Sequence, residues 1–374
     1  MKAIIAAAGT GGHINPGIAI ANEIKRQEPN SKIIFVGTNR GLENDLVPRA
    51  GYELKTINAY GFDRKISFDN LKRVLKTIYS IKESKKIISE FKPDIVIGTG
   101  GYICIPIALA AKSKKIPIVL HESNAFPGMA VKLLSAKSNS IFVGFEDAKK
   151  RLPKAKNVIL TGTPTKVKKL QINDVKRNEI LVKYGLNNNL PIVLAFGGSQ
   201  GAQSINNSLI EIILQEKNKN YQLIWAAGPS QYDDMKKVLI DNNKNIDNLK
   251  NVKIVPYIYN MEEVLNVVDL VVCRSGAMTI TEIANVGKPA IFIPYPFATE
   301  NHQEYNAKVL EQVGAARIIL DKNLNSNILN NEICDMVANR EKLIEMGNKA
   351  SIIAVKNVEE TIYKEIKNIV DNNK

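Results

Sequence analysis

The sequence predicts an α/β protein built from two doubly wound parallel-sheet domains, and three features predict it. Short apolar runs alternate with helical patterns, as parallel strands and their crossover helices do. The runs form two series, over residues 2–161 and 191–320, separated by a polar, lysine-rich stretch at 163–190 that opens Thr-Pro-Thr. Each series begins with an apolar strand that runs into a glycine turn and then a helix start.

The first strand, residues 2–8, is continuously apolar from Ala3, as a strand buried on both faces must be. Gly9, Gly11 and Gly12 then allow a tight turn with close backbone approach, and Pro16 suits the first turn of a helix over residues 17–26. Strand, glycine turn and helix start make an anion site, because free N–H groups and the helix dipole point the same way. His13 sits in the mouth of that turn and is a candidate acid–base group, with a structural histidine as the plainer alternative. A dinucleotide fingerprint is excluded: Ile14 fills the third glycine position, and the second strand, 32–37, leads into Gly-Thr-Asn with no acid. No Walker-type phosphate loop occurs.

Strands at 94–98, 117–121, 140–144 and 157–161 follow. Gly98, Gly100 and Gly101 repeat the first turn's logic, so two turns on one sheet edge are placed to share a diphosphate. His121-Glu-Ser-Asn124 lies at a strand's carboxyl end, where sites form in such folds; the alternative is a helix start capped by Ser123 or Asn124. Between these elements, Arg64 to Lys86 interleaves eight basic residues with Leu71, Val74, Leu75, Ile78, Tyr79 and Ile81. That pattern suits a helix on an anionic membrane surface, or a core-facing helix with a solvated basic face. The net charge of +14 favours acidic partners. Nucleic acid is not expected, since no helix-turn-helix, RNP-like or zinc pattern accompanies the charge.

The second series holds strands at 191–196, 221–226, 252–256, 269–273, 289–293 and 316–320. In Gly197-Gly-Ser-Gln-Gly-Ala202, Ser199 is placed to hydrogen-bond a phosphate oxygen that the glycine backbones approach. After Val271-Val-Cys-Arg-Ser, Gly276, Ala277 and Met278 offer amides, and Glu282 could accept both hydroxyls of a ribose. Thr279-Ile-Thr-Glu282 also fits a capping box, the likelier reading on spacing alone. In Pro294–Ala307, Asn301 or Gln303 could bind sugar hydroxyls. With no Asp-x-Asp in the chain, a departing diphosphate is expected to meet helix ends and basic side chains rather than a metal. Cys104, Cys273 and Cys334 lie apart and read as buried thiols, three histidines lack paired spacing, and no run suits a membrane span or signal peptide. From about Glu341 to the end, Ile352, Val355, Val358, Ile362 and Ile366 recur at helical spacing.

Five motifs in order, Gly9-Thr-Gly-Gly-His13, Gly98-Thr-Gly-Gly-Tyr102, His121-Glu-Ser-Asn124, Gly197–Ala202 and Cys273-Arg-Ser-Gly-Ala277 with Glu282, resemble the MurG family nearly end to end. These are bacterial UDP-N-acetylglucosamine-dependent transferases of peptidoglycan synthesis. The resemblance implies a GT-B fold, two Rossmann-like domains facing across a cleft. The acceptor and membrane-facing domain is then 1–162, the donor domain 163–349, and a helix at about 350–374 packs back on the first. It implies inverting transfer to the 4-hydroxyl of the N-acetylmuramoyl residue of undecaprenyl-diphosphate-linked lipid I, giving lipid II, with no cofactor and no metal. The position of His13 in its turn makes it the candidate base.

On matching positions, Ser199 would hold the donor diphosphate with Gln200 beside it, the Ile258 backbone the uracil, Glu282 the ribose and Gln303 the sugar hydroxyls. Ala277, Met278 and Thr279 would line the donor, with Thr10, Gly11, Gly12 and Asn124 near its sugar. Gly12, His13, Gly100, Gly101 and Tyr102 would receive the acceptor diphosphate. The basic apolar patch would meet an anionic membrane, placing the protein peripherally on the cytoplasmic face, with other cell-wall synthesis proteins as further candidate partners. The family pattern Asn-Pro-Val-Arg reads Thr163-Pro-Thr-Lys166 here, and lysine keeps the charge of a donor contact without arginine's planar fork. Competing readings are a diacylglycerol glucosyltransferase or UDP-sugar 2-epimerase of similar fold, and a non-catalytic nucleotide-sugar-binding membrane scaffold.

Overall fold

The computed structural model describes residues 1–59, 68–198 and 201–373, with side chains for all of these except 68–78 and 247. The chain divides into two compact units, Met1–Thr165 with Val355–Lys374, and Lys166–Ala354.

In chain order the first unit carries β1 (Lys2–Ala7), α1 (Gly11–Gln27), β2 (Lys32–Gly37), α2 (Glu43–Arg49), β3 (Glu53–Thr56), α3 (Phe68–Phe91), β4 (Ile95–Gly100), α4 (Cys104–Ser113), β5 (Ile118–Glu122), α5 (Met129–Leu134), β6 (Ser140–Val143) and β7 (Val158–Leu160). The second carries α6 (Asp174–Lys183), β8 (Ile192–Phe196), α7 (Gln203–Leu214), β9 (Gln222–Ala226), α8 (Tyr232–Asp241), β10 (Val252–Val255), α9 (Met261–Val267), β11 (Leu270–Cys273), α10 (Ala277–Val286), β12 (Ala290–Phe292), α11 (His302–Gln312), β13 (Ala316–Ile318), α12 (Ser326–Val337) and α13 (Arg340–Ile353). The chain then returns to the first unit for α14 (Val358–Asp371).

The first sheet is parallel, in the order β3-β2-β1-β4-β5-β6-β7. Alternate residues of β1 feed two cores: Ile4 and Ala6 pack with Ile107 and Leu120, while Ala3 and Ile5 pack with Ile14 and Phe35. The second sheet repeats the order as β10-β9-β8-β11-β12-β13, also parallel, with Trp225 fully buried in its core. Strand order reverses between β1 and β4 in one sheet and between β8 and β11 in the other. Ligands of open parallel sheets bind beyond the strand ends at such a reversal.

The expected strands all appear, and the structure adds β3. Its sequence, Glu53-Leu-Lys-Thr56, is mostly exposed at the sheet edge, so no apolar run marks it. The stretch 163–190 also contains a helix, α6, capped by the Asn173 side chain, which accepts from the Lys176 N–H at 2.8 Å. The C-terminal pattern is two helices rather than one. Ala354 is extended and Asn357 is left-handed, so Ile352 ends exposed while Val358, Ile362, Ile366 and Val370 line one stripe of α14 against α1. Met1's ammonium, Lys367 and the Tyr363 hydroxyl all meet the carboxylate of Glu28, just past α1. Most of the basic stretch Arg64–Lys86 lies outside the described side chains; in the described part of α3, Ser80, Ser84 and Ile88 are buried. Among the described residues no helix is long and apolar enough to cross a membrane.

Candidate active site

In the first unit the two glycine turns leave β1 and β4, the neighbouring strands of the order reversal. Thr10 is the extended N-cap of α1, and its side chain makes no capping bond. Gly11 and Gly12, the first two helical residues, therefore keep amides with no carbonyl one turn back to bind. His13 follows in the same turn. Its Nδ1 lies 3.1 Å from the Ala8 carbonyl oxygen, which can only accept, so Nδ1 carries the hydrogen and Nε2 is the nitrogen able to take a proton. Burial pulls the histidine below its ordinary pKa, against upward pulls from the Ala8 bond and the Glu43 charge, which keeps the ring neutral near pH 7.

The second turn closes on this ring. Gly100 has φ +128°, and a Cβ there would stand 2.3 Å from His13 Cδ2, so only glycine lets the β4 backbone lie against the imidazole. Thr99 fixes the other side, its hydroxyl donating to the His13 carbonyl at 2.7 Å. Gly101 and half-buried Tyr102 continue the turn into α4. His13, Gly12, Gly100 and Gly101 are thus brought together.

Asn124 follows β5, but it caps no helix; α5 begins later, with Gly128 as its N-cap. The Asn124 N–H and Nδ2 both donate to Glu122 Oε1, at 2.9 and 3.0 Å, and the Gly128 N–H donates to Glu122 Oε2 at 2.7 Å. Buried Glu122 at the end of β5 orients the loop, a role that the cap reading of Ser123 or Asn124 missed.

In the second unit, the β8 turn and the β11 turn again leave neighbouring strands. Gly201, at φ +81°, passes so close to the Ala227 carbonyl that a Cβ would lie 2.3 Å from it. Asn206 braces that carbonyl, donating to it at 2.8 Å while accepting from Trp225 Nε1 at 2.9 Å. Ser199 and Gln200 lie outside the described residues.

α10 starts at Ala277, behind extended Gly276, which makes no side-chain cap. Thr279 is thus the third helical residue and Glu282 the sixth, so the capping box does not form there. The helix begins earlier because Ser275 is held: its hydroxyl donates to the Gln303 carbonyl at 2.8 Å, and Asn306 donates to its carbonyl at 3.2 Å. The amides of Ala277, Met278 and Thr279 remain at an open helix start. Glu282 is half-buried one turn further in.

Arg274 ties this turn to three others. Its guanidinium donates to the carbonyls of Ile293 and Pro294, to Ser204 Oγ and, at 2.5 Å, to Asp321 Oδ2; Ser204 also donates to Asp321 at 2.7 Å. No sequence spacing pointed to this pairing of residues 47 apart. Gln303 Oε1 accepts from the Tyr295 N–H at 3.0 Å, whereas Asn301 Nδ2 donates to Glu304 Oε2 at 2.6 Å. Ile258 is buried past β10, beside a Tyr257–Tyr259 edge-to-face pair. Lys166 is exposed at the start of the unit, and Thr163, at another altered family position, is buried. Among the described residues no His, Cys, Asp or Glu group could hold a metal ion.

Residues 3–143 match the glycosyltransferase family 28 N-terminal domain, and residues 192–362 match the glycosyltransferase family 28 C-terminal domain. A relative from Acetivibrio thermocellus is 44% identical over all of this chain and 99% of its own length, and one from Thermoanaerobacter sp. is 43% identical over 99% of this chain and 100% of its own. Both are named UDP-N-acetylglucosamine–N-acetylmuramyl-(pentapeptide) pyrophosphoryl-undecaprenol N-acetylglucosamine transferase. The crystal structure of Acinetobacter baumannii MurG superposes with a TM-score of 0.79 at 27% identity, covering 98% of this chain and 99% of that one. With two parallel order-reversing sheets, glycine turns at both reversals and full-length identity of this degree, the chain belongs to glycosyltransferase family 28, and within it to the MurG transferases.

Proposed function

We propose that this protein moves N-acetylglucosamine from UDP-N-acetylglucosamine to the 4-hydroxyl of the N-acetylmuramoyl residue of a lipid-diphosphate-linked muramyl-peptide, forming lipid II from lipid I. The relatives' names supply the substrates. The observation that carries the chemistry is the His13 tautomer: Nδ1–H is spent on Ala8, and a neutral Nε2 stands in a glycine turn shared by β1 and β4.

In this reading Nε2 takes the proton of the attacking hydroxyl as its oxygen bonds to C1 of the donor sugar. The C1–oxygen bond to the diphosphate breaks on the opposite face, inverting C1, and UDP leaves with the electron pair. The amides of the turns at Gly12, His13, Gly100, Gly101 and Tyr102 receive the acceptor diphosphate. Those of Ala277, Met278 and Thr279, with Ser199 and Gln200, receive the donor diphosphate. Glu282 takes the ribose, the Ile258 backbone the uracil, Gln303 the sugar hydroxyls, and Asn124, with Thr10, the donor sugar. Lys166 is a further donor contact. The first unit's basic stretch holds the protein peripherally on the cytoplasmic face of an anionic membrane.

The test is turnover. UDP release from UDP-N-acetylglucosamine should require a lipid I acceptor; release with diacylglycerol alone, or epimerisation without acceptor, would replace the reading. His13→Ala should lower kcat by about a hundredfold or more. A kcat within about threefold of wild type would remove the base role.

A further inference from the structure

The β1 turn is held from behind by a residue that no motif contains. Glu43 is the first residue of α2 and is fully buried. Its Oε2 accepts the Gly9 N–H at 2.9 Å, and its Oε1 accepts both the Thr38 N–H at 3.0 Å and the Thr38 hydroxyl at 2.7 Å. The carboxylate therefore bridges the ends of β1 and β2, reaching back 34 residues to Gly9. Two glycines make room for it: a Cβ on Gly41 would lie 2.1 Å from Glu43 Oε2, and one on Gly37 2.7 Å from Glu43 Cγ. Burial alone would raise its pKa, but these donors outweigh burial and hold the carboxylate ionised, below its ordinary range.

We propose that Glu43 is a positioning residue for the transfer: its buried carboxylate fixes the Gly9 turn, leaves the Gly11 and Gly12 amides facing outward, and stands as a permanent negative charge behind His13. This rests on the proposed base role of His13. Among the described residues, Glu43 is the charged group that acts on the imidazole. Thr99, Gly100 and Gly101 face it from β4, and the buried Cys104 thiol beneath them is pushed up to about 12 by burial and stays neutral. On α14, Glu360, Tyr363 and Lys367 meet the far end of α1, at Arg26 and Glu28.

One substitution removes both the carboxylate's charge and one of its two acceptor oxygens. A glutamine has one acceptor oxygen, so Glu43→Gln must turn an N–H toward either Gly9 or Thr38, donor against donor. The full chain is assayed with UDP-N-acetylglucosamine and lipid I, with UDP affinity as the measure that the second unit is intact. Glu43→Gln should bind UDP as wild type does, lose about ten- to a hundredfold in kcat, and move the acid limb of the pH–kcat/KM profile to lower pH, because the charge that pulls His13 upward is gone. A kcat within about threefold, or a fall in kcat with the acid limb unmoved, overturns the proposal. If Glu43→Gln does not fold, Thr38→Val keeps the charge and removes one donor. It should lower kcat severalfold at unchanged UDP affinity, and an unchanged kcat overturns the proposal. His13→Ala, run in parallel, tells this failure from the other: an active His13→Ala enzyme removes the base reading itself, whatever Glu43 does.

Discussion

Acid should loosen the first unit through a second histidine, His121, and the size of the effect can be worked out. His121 sits near the end of β5 with no exposed surface. Its Nε2 lies 3.1 Å from the Gly162 carbonyl oxygen, so Nε2–H donates, and Nδ1 is left to accept from the Ser123 hydroxyl at 3.4 Å. The neutral ring is thus satisfied at both nitrogens. Burial pushes its pKa from 6.5 down to about 4. The folded protein then holds fewer protons than the unfolded chain between those values, so stability is complete above 6.5 and is lost as pH falls toward 4. At 1.36 kcal/mol per unit, the loss is about 3 kcal/mol by pH 4, a large share of a domain's usual 5–15 kcal/mol. Urea unfolding of wild type and His121→Gln, measured from pH 7 to pH 4, isolates it. Glutamine can still donate to Gly162 but does not titrate, and contributions from other carboxyls and from His13 are common to both proteins. The wild-type advantage at pH 7 should shrink by about 3 kcal/mol at pH 4. Parallel curves would refute the reasoning.

Two further outcomes follow from the site. Asp321→Ala leaves the Arg274 guanidinium largely buried without its carboxylate, and should destabilise the second unit by about 3 kcal/mol with a lower melting temperature; an unchanged melt would mean the pair is not a brace. Gly100→Ala places a methyl against the His13 ring at φ +128°, and should cut turnover at least tenfold while UDP affinity, assigned to the second unit in the proposed function, stays at the wild-type value.

What the sequence disclosed follows from the range of each interaction. Strands buried on both faces must be apolar throughout, so they stand out; β3, with one edge open to solvent, has no such need and was missed. The glycine turns were legible because their geometry is local. The helix starts misled for the same reason. Thr279 and Glu282 have capping-box spacing, but the start of α10 is set by bonds from Ser275 to residues nearly thirty positions on. Asn124 has the chemistry of a cap, yet its N–H and Nδ2 donate to Glu122 and the next helix starts only at Met129, behind Gly128. Glu43 with Gly9, and Arg274 with Asp321, meet only once strand order is known. A charged residue that serves a neighbour across the sheet carries no mark in its own stretch.

The bracing residues share a logic that bears on how the proposed transfer handles charge. Arg274, three residues before the start of α10, is already paired with Asp321, so its charge is largely spent inside the protein. Side chains close a few of the described helix starts and leave most open, α2, α4, α5, α8, α9, α11 and α14 among them. α6, α12 and α13 are closed by the side chains of Asn173, Asn325 and Asn339, which accept from the first turn. α1, α7 and α10, at the strand-order reversals, have no side-chain cap. Each open start is worth roughly half a positive charge, so α7 and α10 together offer about one against a departing nucleoside diphosphate that carries more. The remainder falls to basic side chains and solvent. In the proposed donor site, Lys166 brings a point charge where the family pattern has a fork, so it would screen that remainder without a bidentate grip.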